Sequence, residues 1–206
     1  MVTNIVCSQT KECARKTNFG EIEICLPKIE GYKECYLDPT IKQIADATEV
    51  PVNMVLGYYL NDKAFKNKDS IVSSGFDDFF KLYGTKQIKD YKANESILKE
   101  TQKALAGNFL SKNWDVIKDE IDKTGIDAKI GVPVVVKSYN LNKKSFTYVM
   151  IANYEVKGTD PYTMAMAMNG VLLNDRLVWL AYYILYKDKS TIDILQEKSN
   201  KIILRI

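Results

Sequence analysis

Residues 163 to 170 read Thr-Met-Ala-Met-Ala-Met-Asn-Gly, with three methionines at strict two-residue spacing. Thioether sulfur is a soft ligand suited to Cu(I), so Met164, Met166 and Met168 are the first side chains here that could do chemistry. Met150, upstream, could join them. In an extended strand the three methionines share one face, and Ala165 and Ala167 share the other. A copper site needs sulfurs open to an entry path and usually a His or thiolate nearby. A packed strand needs only helices on its two sides, since methionine fills irregular apolar space and alanine admits a close neighbour. The packed strand explains every residue without metal. Met164, Met166 and Met168 are therefore expected to be mostly buried and to bind nothing, and no cofactor is expected.

Histidine is absent from the chain. That removes the commonest general base, the usual partner of a Ser or Cys nucleophile, and the commonest zinc ligand. Any catalysis would run on carboxylates, Lys, Tyr or Cys. The acids Asp77-Asp78 read as the opening of a helix, where carboxylates complement the dipole. Asp119, Glu120 and Asp122 read as a solvated helix face shared with Lys118 and Lys123. Neither an EF-hand loop nor a phosphate-binding glycine loop is present. Tyrosine occurs thirteen times. Tyr58, Tyr59, Tyr148, Tyr154, Tyr182, Tyr183 and Tyr186 fall on expected strands, where they serve sheet packing or an interface.

The four cysteines, Cys7, Cys13, Cys25 and Cys35, all lie in the first 35 residues. They lack the C-x-x-C pairs of a zinc site. Val2, Ile5, Val6, Cys7 and Ser8 resemble the end of a trimmed bacterial export signal, with Met1 an added start; the alternative is a native disordered tail. Cys7 as a lipid-anchoring residue is poorly matched by Asn4-Ile5-Val6. Export permits a disulfide among Cys13, Cys25 and Cys35. Four cysteines allow three complete pairings, and Cys25 with Cys35 is the preferred link.

With 206 residues, 46% hydrophobic and 27% charged, the chain suits one globular domain. Of 29 basic residues only Arg15, Arg176 and Arg205 are arginine. The lysine runs Lys63-Lys66-Lys68 and Lys86-Lys89-Lys92 are interleaved with Asp62, Asp69 and Asp90, so no basic face for nucleic acid is expected. No apolar run reaches the roughly 18 to 20 residues of a spanning helix.

The elements that must position these residues can be read from periodicity. EIEICL and YKECYL read as strands, TIKQIADA after Asp38-Pro39 as a helix, and VNMVLGYYL, apolar on both sides, as a central strand. DDFFKLYG reads as a helix ending at Gly84. A helical tract from Asn94 to Gly125 is broken at Gly107 or Asn113. VPVVVKSYNL, SFTYVMIANYEV, PYTMAMAMNGVLLN and RLVWLAYYILYK read as an antiparallel meander, with turns at Asn140-Leu141-Asn142 and Asn174-Asp175 and a bulge at Gly170. A last helix starts at Ser190, with Asp193 as its capping acid. Residues 1 to 18 are expected as signal remnant or tail. Residues 19 to 206 are expected as one α+β domain, an antiparallel sheet of five to seven strands covered by helices on both faces.

EICLPKIEGYKECY, then NMVLGYYLND, a helical middle, a strand meander and a closing helix together resemble the Mog1/PsbP-like group. The resemblance spans most of residues 19 to 204 and rests on element order and the LP-x-x-EGY start. It implies an α/β/α sandwich and a binding or assembly role. Members include a nuclear Ran-binding factor, extrinsic photosystem II subunits and chaperones of bacterial secreted effectors. The group shares no catalytic motif, so it implies no site residue. The expectation is a non-catalytic, exported binding module of the bacterial envelope, in the periplasm or at the cell surface, with a protein partner. The alternatives are an enzyme of unrecognised type using carboxylates, and a Cu(I) binder through Met164, Met166 and Met168.

Overall fold

The computed structural model describes residues 12–70, 76–107, 109–125 and 127–205. Met1 to Thr10, with Cys7 and the expected signal remnant, lie outside the described residues. The first described strand, β1 (Cys13–Phe19), pairs antiparallel with β2 (Ile22–Pro27) as a separate hairpin. Ordered backbone therefore begins upstream of residue 19. The hairpin carries a Cys13–Cys25 disulfide, not the preferred Cys25–Cys35 link. Strand pairing is the reason: β1 and β2 lie side by side, whereas Cys35 follows β3 (Tyr32–Glu34) and gives its thiol hydrogen to the Tyr58 carbonyl at 3.3 Å. A clip around a loop of this size stabilises by about 2–3 kcal/mol in the chain-entropy picture.

The main sheet is eight-stranded and antiparallel, ordered β3, β4 (Asn53–Asn61), β5 (Asp78–Thr85), β10 (Arg176–Leu185), β9 (Tyr162–Leu173), β8 (Ser145–Val156) and β6 (Ala128–Ile130). The eighth strand, β7 (Val134–Asn142), shares β8's outer edge with β6. The count exceeds the five to seven expected because β6 is too short to show a period and β5 was read as a helix. VNMVLGYYL lies next to the short edge strand β3, not at the centre of the sheet.

On one face lie the β1–β2 hairpin and α6 (Lys189–Ile203), around Phe19, Ile24, Leu56, Phe80, Ala167 and Leu195. The opposite face holds α1 (Pro39–Ala47) and α2 (Asp62–Lys66) over β4, and α3 (Glu95–Leu105) over β8 and β9. Helices thus cover both faces, as expected for this α+β class. The helical tract breaks at both expected places, with α4 (Phe109–Lys112) and α5 (Trp114–Asp122) following α3. The α1 cap is as read, with Asp38 accepting from the N–H groups of Thr40 and Ile41. Helix α6 instead starts from Asp188, whose capping-box partner is Thr191 rather than Asp193.

Three other readings are corrected. DFFKLYGT is strand β5, because Phe80 and Leu82 face the α6 side while Phe79, Lys81 and Tyr83 face the other. A run apolar on both faces has no period that separates strand from buried helix. The turn between β7 and β8 falls at Lys143-Lys144, not at Asn140–Asn142, whereas Asn174-Asp175 turns as expected with φ of 45° and 58°. Gly170 is no bulge. Its pairing with Phe146 and Trp179 is regular, and a Cβ there would lie 2.5 Å from the Phe146 ring. Gly84 likewise admits the Phe19 ring, 2.4 Å from a Cβ position.

Gly170→Ala should therefore lower stability by about 1–3 kcal/mol in urea unfolding, the usual range for overpacking. Phe146→Leu in the same background should recover part of that loss. A neutral Gly170→Ala would contradict the close stacking. Non-reducing peptide mapping of the oxidised protein should yield a Cys13–Cys25 linked peptide, and a Cys25–Cys35 link would contradict the hairpin clip.

Candidate functional site

Alternation along β9 puts Met164, Met166 and Met168 on the face of α1 and α3, and Ala165 and Ala167 against α6. Met164 and Met166 are 4% and 5% exposed, and Met168 is half-buried. Met150 is buried directly opposite Met166. Two of the sulfurs accept phenol hydrogens, Met166 from Tyr154 at 3.8 Å and Met168 from Tyr83 at 3.6 Å. Such contacts hold sulfur against aromatic walls rather than open toward a metal. Among the described residues no group of three His, Cys, Asp or Glu side chains could hold a metal ion.

On this face the helices leave a gap. With α1 and α2 on β4 and α3 on β8 and β9, the helix of the described residues that packs on β10 is α6, and it lies on the opposite face. The floor there is aromatic: Tyr58 stacks on Phe79 at 5.3 Å between centroids, and Phe79 on Tyr183 at 4.6 Å. At one end of the gap opens a cleft of about 580 Å³. Its walls are Phe76, Tyr162, Met164 and Leu185, and Lys63, Asp77 and Asn61 bring charge and amide groups to it. Asn61 also caps α2 by accepting from the Ala64 N–H at 2.8 Å, which fixes the wall carrying Lys63. Tyr162 stacks on Tyr154 at 5.5 Å, so its ring is held in place.

Among these rings, on the same face, lies an ion pair, Lys81 Nζ to Glu49 Oε2 at 2.7 Å, both side chains nearly buried and the ammonium over the Tyr83 and Tyr183 rings. At this depth solvent screens the two charges little, so Coulomb attraction holds the pair. Asn53 donates to the other Glu49 oxygen at 2.9 Å. Burial disfavours the Lys81 charge, but the Tyr183 hydroxyl and the Glu49 carboxylate outweigh it and hold its pKa above the ordinary lysine value. Lys81 is therefore an ammonium, not a nucleophile. Burial also pushes the hydroxyls of Tyr58, Tyr83 and Tyr183 above the usual phenol range, so they stay neutral. This pair was missed in the sequence because Lys81 was placed on a helix. A lone lysine between Phe79 and Tyr83 on one strand face would have required an acid.

The other candidate residues scatter. Asp78 opens strand β5 with Asp77 just before it, and neither opens a helix. Asp77 lines the cleft, while Asp78 accepts from Tyr32 Oη at 2.5 Å and from Lys198 at 3.4 Å on α6. Asp122 pairs with Lys118, and Glu120 with Lys123, on the exposed side of α5. Cys35 is buried, and desolvation with the adjacent Glu34 charge pushes its thiol up to about 12, so it is inert. Of the strand tyrosines, Tyr59 and Tyr182 are fully buried, and Tyr148 donates to the Gln102 carbonyl at 2.6 Å, which ties α3 to β8.

No family model and no curated protein matches the chain. Among solved structures it is similar to the Ran-binding protein Mog1p of Saccharomyces cerevisiae at 9% identity and a TM-score of 0.33, over 93% of this chain and 90% of that one. A mutant of protein Mog1 matches equally, at 9% and 0.33 over 93% and 91%. These are likenesses of chain course alone.

If the methionines are packing residues, Cu(I) titration against a competing chelator should reveal no stoichiometric site. The Met164→Leu, Met166→Leu, Met168→Leu triple variant should fold, since volume-conserving swaps cost about 1.5 kcal/mol or less each. A site present in the wild type and lost in the triple variant would contradict the packing.

Proposed function

We propose that the chain is a non-catalytic protein-binding or assembly module of the bacterial cell envelope that docks its partner in the cleft beside Met164. The observation that carries this is the cleft's composition. An aromatic and methionine wall is flanked by Lys63 and Asp77 and continues into the stacked rings of Phe79 and Tyr183 on this face of β5 and β10. Surfaces of this kind receive an apolar anchor from a partner chain, with the polar rim fixing its orientation. Methionine adapts its shape at little cost, which suits a contact surface. The lack of His anywhere in the chain supports a non-catalytic role. The Cys13–Cys25 clip supports export, because such bonds persist in oxidising compartments.

The test is affinity recovery from the envelope fraction of the cells that make this protein, with wild type beside Tyr162→Ala and a Lys63→Glu/Asp77→Lys variant. One protein species should be recovered with wild type, and each variant should reduce it by about tenfold or more, as loss of an anchor does. Equal recovery with all three would remove the cleft from the binding surface. A small molecule co-purifying in the cleft, with no protein recovered, would show that the function belongs to another class.

A further inference from the structure

The two edges of the sheet are treated differently. At one end β3 has three residues and is flanked by β1 and α2. At the other, β7 has nine residues, and among the described residues no strand pairs with its outer side. That edge carries Val132, Val134, Val135 and Val136, exposed by 43%, 62%, 38% and 46%. A long, β-branched, unpaired edge is a template for another strand, and proteins that remain monomeric usually blunt it. Three features here resemble blunting: Pro133, the irregular register between Val135 and Lys137, and that between Tyr139 and Asn142. Pro133 does less than it first suggests, since it lies in the short irregular segment between β6 and β7, ahead of the nine residues of the β7 edge.

We propose that β7 is a homodimer interface, pairing antiparallel with β7 of a second copy about a twofold axis near Val135. The sequence of the edge is self-complementary in that arrangement. Asp127 lies eight residues before Val135, and Lys143 lies eight residues after it. A twofold axis at Val135 therefore sets Val134 opposite Val136 and brings Asp127 of each copy to the Lys143-Lys144 turn of the other. The two adjacent lysines accommodate a one-residue displacement at the turn, which lies beyond the two irregular registers of β7. Lys137 falls opposite Pro133, and Lys129 opposite Leu141, so no like charges meet. Asp127 is now 3.3 Å from Lys157, but both side chains are largely exposed and such a pair is easily exchanged. An isologous contact of this kind is the commonest way for a chain to close on itself. It lies at the sheet edge opposite β4 and α2 and does not depend on the cleft.

Sedimentation of the full oxidised chain over a range of concentrations tests this. Wild type should show a monomer–dimer equilibrium, and Val135→Lys, an exposed substitution that leaves the melting curve unchanged, should weaken it by about tenfold or more. Asp127→Lys should weaken it, as should Lys143→Asp with Lys144→Asp, and combining all three should restore it. A wild type that stays monomeric at every concentration overturns the proposal, as does a dimer indifferent to Val135→Lys. Charge reversals that add instead of cancelling also overturn it. A monomer that pairs β7 with an extended acidic peptide would show that the edge has another occupant, and the self-pairing would be wrong.

Discussion

Strand β9 has to serve two faces at once, and the architecture depends on how it does so. Ala165 and Ala167 are fully buried under α6, and Asn169 completes that contact. Its amide donates to the Leu180 carbonyl at 2.8 Å and to Ser199 Oγ on α6 at 3.0 Å, while its oxygen accepts from Thr147 at 2.7 Å. A buried amide with its groups satisfied fixes register, because slipping one residue would strand it unpaired. The same slip would turn the methionines onto α6. The closeness of α6 and the direction of Met164, Met166 and Met168 are thus one fact.

The methionine face follows from that constraint. The α6 side is sealed by a fifteen-residue helix and a disulfide-clipped hairpin. The other is covered only at its flanks, so the central strands must make their own cover from large side chains. They do this with stacked rings and one ion pair. Removing one member of a buried pair generally costs about 3–5 kcal/mol, so Lys81 and Glu49 hold the floor as a unit. The result is an aromatic base, buried at Tyr58 and Tyr83, and the cleft is where its Phe76 end meets the charged rim of α2. Helix α5 adds little closure, since none of its side chains is fully buried.

Much of this was legible in the sequence. Strict alternation gave β9, the paired turn residues Asn174-Asp175 gave the β9–β10 hairpin, and Asp38-Pro39 gave the start of α1. What failed shares one physical cause: contacts distant in sequence decide local features. Gly84 resembles a helix stop until Phe19, far upstream, is seen lying on it, and Gly170 resembles a bulge until the Phe146 ring is seen across the strand. Cys25 could reach either neighbour until the pairing of β1 chose Cys13. The cleft is only partly visible in the sequence: Met164 stands out there, whereas Tyr162, Phe76 and Leu185 come together with it through folding alone. No spacing rule encodes a site assembled from α2, β5, β9 and β10.

The most direct measurement of the docking claim is site-specific photo-crosslinking in the cells that make the protein. A photoreactive residue is placed at position 63 or 77 on the cleft and, as a control, at position 99 on the exposed side of α3. The cleft positions should each give the same single crosslinked protein, absent from the control. Crosslinks equal at all three positions, or none at the cleft, would contradict the claim that this face receives a partner.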